Sequence, residues 1–240
     1  MSLRAQLETV LGGRISTPFT DLDKRVRETV STGITAFDAK TGGLPRGAIT
    51  EIFGLPSTGK TSMLLSILAA ATAREEVCAL VDSGDAFSPE SGDAAGIDLQ
   101  RLLWVRCHNL DHTLKSADLL LQGGGFGVVA LDVTDVPAEK LQSVPLATWF
   151  RFQRSIEKTP TILTIISQEA VAKTCTALAV KMADCEFRIA ERKTHALPSH
   201  SVLLTGAAAT GTVIRSRQPI ESQYVRFHLY SSFSRPGARS

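Results

Sequence analysis

The sequence predicts an α/β fold: a central, mostly parallel sheet flanked by helices, with antiparallel strands added near its C-terminal end. Three observations carry this. A strand-like apolar run, Ala48 to Phe53, enters Gly54-Leu55-Pro56-Ser57-Thr58-Gly59-Lys60-Thr61, and a helical pattern leaves it. That is the setting of a phosphate-binding strand–loop–helix unit. Short apolar runs then alternate with helical patterns, the order of a parallel sheet covered on both faces. After Gln168 strand-like runs follow one another closely, which suits antiparallel additions.

At 240 residues the chain is long enough for one large domain with a substantial core. Ser2 is placed to cap a first helix with Leu3, Leu7, Val10 and Leu11 on one face and Gly12-Gly13 ending it. Residues 14–31 are polar and irregular and read as an arm. The turn-rich segment Gly42-Gly43-Leu44-Pro45-Arg46-Gly47 leads into the first clear strand. Val77 to Asp82, Leu102 to Arg106, Val128 to Leu131 and Thr161 to Ile166 are apolar runs expected as strands buried on both faces. Helices are expected at Lys60 to Arg74, Asp111 to Leu121 and Pro137 to about Glu157. A short helix from Cys175 to Met182 is expected next. Strands at Glu186–Ala190, Val202–Thr205, Thr212–Arg215 and Tyr224–Tyr230 follow, and Arg235 to Ser240 form a frayed tail.

Charge is spread unevenly. Residues 1–150 carry 13 Lys+Arg against 18 Asp+Glu, and residues 151–240 carry 13 against 6, so the C-terminal part is the one suited to an anionic partner. Cys78, Cys107, Cys175 and Cys185 show no CxxC spacing, which fits a reduced interior. No signal peptide opens the chain, and no apolar run reaches the roughly 18 residues of a membrane span. The expectation is a cytoplasmic protein with no membrane partner.

The chemistry concentrates in one segment. Glycines let the backbone wrap a phosphate chain with N–H groups pointing inward. The helix N-terminus adds positive potential. Gly54, Leu55, Pro56, Ser57, Thr58, Gly59, Lys60, Thr61 and Ser62 are therefore candidate nucleotide-binding residues, with ATP and Mg²⁺ as the expected ligands. Lys60 would reach the β- and γ-phosphates, and the Thr61 hydroxyl would ligate Mg²⁺. The run Val128-Val129-Ala130-Leu131 delivers Asp132 to the sheet edge where ligands bind in open α/β folds, making it a second candidate for Mg²⁺. Gly123-Gly124-Gly125-Phe126-Gly127 precedes a strand and reads as a loop. His108 and His112 lack a third zinc ligand. Trp104 and Trp149 read as packing residues.

Ser31-Thr32-Gly33-Ile34-Thr35-Ala36-Phe37-Asp38, Gly42-Gly43-Leu44-Pro45-Arg46-Gly47, the P-loop, Cys78-Ala79-Leu80-Val81-Asp82 with Ala86-Phe87-Ser88-Pro89, and Gly96-Ile97-Asp98 together resemble bacterial RecA recombinases. The resemblance covers roughly residues 30–230. In its shortness the chain looks more like the RecA-related ImuA proteins of damage-induced (SOS) translesion mutagenesis. It implies a RecA-like P-loop NTPase fold, with residues 1–30 as N-terminal helix and arm, 31–232 as the ATP-binding domain and 233–240 as flexible tail. It implies that Gln168 senses the γ-phosphate and couples it to DNA-binding loops. It also implies that Arg215 and Arg217 stand where the family has two lysines that reach the neighbouring subunit's ATP. The implied role is an accessory protein of DNA repair. Its implied partners are weakly bound single-stranded DNA, RecA or a translesion-polymerase-like protein, and further copies of itself. The alternative is a DNA-dependent ATPase acting as a miniature recombinase.

Three departures bear on that. The family's catalytic glutamate position is Gly84 here, with Asp85 next to it as the remaining catalytic candidate. The segments for the two DNA loops, after Asp132 and after Gln168, are brief. No C-terminal domain is expected after Tyr230. Hydrolysis is therefore expected to be weak or absent.

Overall fold

A computed structural model describes residues 27–189 and 204–230. The anticipated first helix and most of the arm, and the C-terminal tail, lie outside them. The described chain opens with a small ribbon, β1 (Thr29–Val30) paired with β2 (Leu44–Pro45), enclosing α1 (Thr35–Thr41). The strands and helices of the main body follow in order: β3 (Ile49–Gly54), α2 (Lys60–Ala73), β4 (Cys78–Asp82), α3 (Pro89–Ala94), β5 (Leu102–Arg106), α4 (Leu110–Gly123), β6 (Val128–Asp132), α5 (Ala138–Gln142), α6 (Leu146–Ile156), β7 (Ile162–Ser167), β8 (Thr176–Ile189), β9 (Leu204–Ser216) and β10 (Tyr224–Tyr230).

The main sheet has the order β10-β9-β8-β3-β7-β6-β4-β5. β8, β3, β7, β6, β4 and β5 pair in parallel, and β9 and β10 are antiparallel additions. This is the expected fold. Alternate residues of the central strands feed two cores, because successive side chains leave opposite faces of a strand. Leu80, Ala130, Ile52 and Ile166 join Phe37, Met63, Ile67 and Leu68 on one face. Ala79, Val81, Leu131 and Ile165 join Ala117, Leu121, Trp149 and Phe152 on the other. Phe37 meets Phe227 edge to face at 5.9 Å, which fastens α1 to β10.

Several elements differ from the sequence expectation. The single helix from Pro137 to about Glu157 is two helices, α5 and α6, parted at Ser143-Val144-Pro145. Pro145 has no N–H and excludes helical geometry from the residue before it, so it serves instead as the cap of α6. The helix expected from Cys175 to Met182 is the first half of a long strand, preceded only by a 3₁₀ turn at Lys173–Cys175. Its Ala and Leu residues favour helix locally. Two sheet neighbours, β3 and β9, supply backbone partners on both sides and override that preference. The expected strands Val202–Thr205 and Thr212–Arg215 fall in one strand, β9, so far as they are described. Helices α1 and α3 went unanticipated, although Ser88 caps α3 by accepting from Ser91 N, with Pro89 at the helix start. Among the described residues no helix is long and apolar enough to cross a membrane.

Candidate functional site

The parallel strands β3, β4, β6 and β7 end on one edge of the sheet, and the chemistry-bearing residues collect there. β3 ends at Gly54, whose φ of 155° only glycine adopts readily. A β carbon there would run into the Met182 carbonyl of β8. The loop turns through Ser57 (φ 62°) and Gly59 (φ 87°), and Gly59 is the N-cap of α2. Two positive-φ residues within three positions curl the backbone into a concavity of N–H groups at a helix start. Pro56, Ser57, Thr58, Gly59, Lys60, Thr61, Ser62, Thr134, Asp135, Gln168 and Cys185 line a cleft of about 330 Å³ over it.

Lys60 is 5% exposed. Its Nζ donates to the carbonyls of Gly54 (2.7 Å) and Leu55 (2.5 Å), and Thr58 Oγ1 stands 3.5 Å away. Burial pulls its pKa down, and the Asp132 charge works against that. Among the described residues no carboxylate forms an ion pair with Lys60: it is a buried ammonium held by dipoles alone.

Asp132 ends β6 in register with Asp82 of β4. It accepts from Thr134 N (3.0 Å) and Thr134 Oγ1 (2.7 Å). Burial raises its pKa, the Thr134 bonds lower it, and the charges of Asp82 and Asp135 add to the rise. So the edge of the cleft gathers three carboxylates that repel one another, beside an ammonium without an anion. Both deficits are met by one ligand, a polyphosphate carrying a divalent cation. Mg²⁺ needs only one or two protein oxygens when phosphates supply the rest, so Thr61 and Asp132 suffice. The residues present fit ATP with Mg²⁺.

Gln168 follows β7 and lines the cleft, its Nε2 donating to Thr134 O at 2.9 Å. Thr134 thus joins Asp132 to Gln168. Thr134, Asp135 and Cys185 line the cleft without belonging to a motif; the first two are marked only by their place in the loop after the strand carboxylate. Gly54, Leu55 and Asp132 support the cleft without lining it.

Asp85 is not brought to the cleft. It takes a left-handed conformation (φ 54°) and turns its carboxylate to Arg106, which donates from Nε and Nη2 at 2.5 Å each. Arg106 in turn stacks over Trp104, 5.0 Å from the ring centroid. Asp82 organises the same loop, accepting from Gly84 N (3.1 Å), Phe87 N (2.9 Å) and Trp104 Nε1 (3.3 Å).

Arg215 and Arg217 also lie away from the cleft of their own chain. Through β8, Arg215 is level with Glu51, toward the start of β3, whereas the P-loop leaves its end. The two do not share one strand face. The register shifts between Ala179 and Val180, and β9 stops at Ser216. Arg217 lies past the strand and donates from Nη2 to Thr174 O at 2.8 Å. Both side chains are exposed.

Residues 5–142, more than half of the chain, match the RecA N-terminal domain family. The chain is 32% identical over 142 residues to Protein RecA of Aquifex aeolicus, covering 58% of this chain and 41% of that protein. It is 39% identical over 107 residues to Protein RecA of Allorhizobium ampelinum, covering 44% and 30%, and 38% identical over the same length to Protein RecA of Rhizobium rhizogenes. The chain therefore matches about two fifths or less of the length of these relatives.

Proposed function

This chain belongs to the RecA N-terminal domain family, and from that premise we propose that it is an ATP-binding, RecA-like protein of DNA repair and recombination. One observation carries the nucleotide reading: the buried Lys60 ammonium, held by the Gly54 and Leu55 carbonyls with no carboxylate partner among the described residues, at the mouth of a positive-φ loop beside the Asp82–Asp132–Asp135 carboxylates. Lys60 would hold the β- and γ-phosphates, the backbone of Ser57 to Thr61 would cradle them, and Thr61 with Asp132 would hold Mg²⁺. Bound Mg²⁺ would neutralise phosphate charge. Gln168, linked through Thr134 to Asp132, would pass the state of the γ-phosphate to the segment that follows it.

The finer reading is an accessory role in damage-induced translesion mutagenesis, similar to ImuA proteins, with slow turnover. In this reading the nucleotide acts by stabilising one surface, which mass action achieves without fast hydrolysis. That surface would meet a RecA-type or polymerase-like partner. Support for slow turnover comes from the loop after β4, where Gly84 brings no side chain and Asp85 is held by Arg106. ATP turnover with and without single-stranded DNA tests this. The expected result is a low rate that DNA changes little; strong DNA stimulation would instead establish the miniature recombinase.

A further inference from the structure

We propose that Asp135 is the catalytic carboxylate of the cleft, taking the proton of the water that attacks the γ-phosphate of bound ATP. The proposal rests on the nucleotide reading above and assigns to one residue whatever turnover the chain has.

Three independent observations point to Asp135. It is the one carboxylate residue on the cleft wall among the described residues, sharing that wall with Lys60, Thr61 and Gln168. A general base must stand within hydrogen-bond reach of the water it deprotonates, so a carboxylate outside the cleft cannot serve. Its oxygens are also unengaged: among the described residues no donor or cation bonds to them. Of the neighbouring carboxylates, Asp82 is engaged through both oxygens by Gly84, Phe87 and Trp104, Asp85 through both by Arg106, and Asp132 through Oδ1 by Thr134, which leaves its Oδ2 for the Mg²⁺ role assigned to it above. A carboxylate with free lone pairs in a phosphate cleft has nothing to accept from except solvent or ligand.

Shape supplies the third observation. A β carbon built on Gly84 would fall on Asp135 Oδ2, with Asp135 Cγ at 2.9 Å and Cβ at 3.2 Å. Gly84 does not have the positive φ that would demand glycine for backbone reasons. What glycine provides there is room, and the Asp135 carboxylate fills it. The carboxylate thus reaches the end of β4 from the loop after β6.

In the step assigned to Asp135, the water oxygen bonds to the γ-phosphorus as a water proton passes to the Asp135 carboxylate. The bond from that phosphorus to the β–γ bridging oxygen breaks, giving ADP and inorganic phosphate, and Asp135 releases its proton to solvent. Removing such a base typically lowers the rate about 10²–10⁴-fold.

The test compares full-length wild type, Asp135→Asn, the double variant Gly84→Glu with Asp135→Ala, and Glu139→Gln as an exposed control. Each is assayed for ATP turnover and for thermal stabilisation by Mg–AMP-PNP and by Mg–ADP–aluminium fluoride. Asp135→Asn should lose turnover and the aluminium fluoride shift while keeping the AMP-PNP shift. The double variant should regain both, because the glutamate enters the space that Asp135 vacates. Glu139→Gln should match wild type. Turnover unchanged in Asp135→Asn overturns the proposal. So does a wild type that is stabilised by AMP-PNP yet never hydrolyses ATP, and that result leaves the nucleotide reading standing. A wild type stabilised by neither nucleotide overturns both.

Discussion

The carboxylate of Glu51, in the middle of β3, accepts the backbone N–H groups of Val171 at 2.5 Å and Ala172 at 3.2 Å. The strand that feeds the P-loop is thereby joined to the segment that follows Gln168, 120 residues away in sequence. Glu51 is 1% exposed, and its Oε2 has no partner among the described residues. Burial raises its pKa above the ordinary 4.5, and the two N–H donors only partly offset that. Because the folded state holds this proton more tightly than the unfolded chain, the stabilisation is complete below the ordinary value. It is lost as pH climbs through the raised one. Urea unfolding over a pH series should show wild-type stability falling across that window and Glu51→Gln nearly flat there. Glu51→Ala strands two buried donors at about 1–3 kcal/mol each. Identical pH profiles for wild type and Glu51→Gln would refute the assignment.

ATP with Mg²⁺ should stabilise the wild type by roughly 2.7 kcal/mol at about 100 times its dissociation constant. Lys60→Ala should abolish the shift, since it removes the buried ammonium. Equal shifts in the two proteins, measured by thermal melting, would place the nucleotide elsewhere.

Binding to single-stranded DNA should be weak and electrostatic. Only Val133 to Pro137 separate β6 from α5, and only Gln168 to Ala172 separate β7 from the next turn, which leaves little backbone to wrap a strand. The basic C-terminal part would supply phosphate contacts. With about three such contacts, affinity should drop roughly twentyfold between about 50 and 200 mM salt. Fluorescence anisotropy measures this, and tight salt-resistant binding would contradict it.

Arg215 and Arg217 should act between subunits, since neither reaches the cleft of its own chain. Arg215→Ala with Arg217→Ala should weaken ATP-dependent self-association in sedimentation while leaving the melting temperature within about 2 °C of wild type, as expected for exposed side chains. Unaltered sedimentation would make the pair a plain solvated surface.

What the sequence revealed and what it hid follow a physical division. The loop from Gly54 to Thr61 was legible as a strand-to-helix turn because its glycines and its spacing suit one, and the structure has β3 ending at Gly54 and α2 starting at Lys60. The position of Asp132 was legible because an apolar run buried as a strand delivers its last residue to the sheet edge, and β6 ends on Asp132. The strand from Thr176 was misread because its pairing with β3 and β9 is decided by residues far away in sequence. Gln168 was found through a resemblance, and the geometry places it on the cleft. Asp135 was missed because its significance lies in the space over Gly84, which only three-dimensional placement reveals.

Cys78, Cys107 and Cys175 are buried, and burial pushes the Cys78 thiol up to about 12. Cys185 alone is partly exposed, and it lines the cleft. The molecule therefore carries its own single attachment point for a spectroscopic reporter. Burial and the Asp184 charge raise the Cys185 thiol too, so a maleimide dye would enter there at mildly alkaline pH in the folded state without any engineered residue. Occupancy of the cleft would be readable as quenching, or as protection of that one thiol from the label.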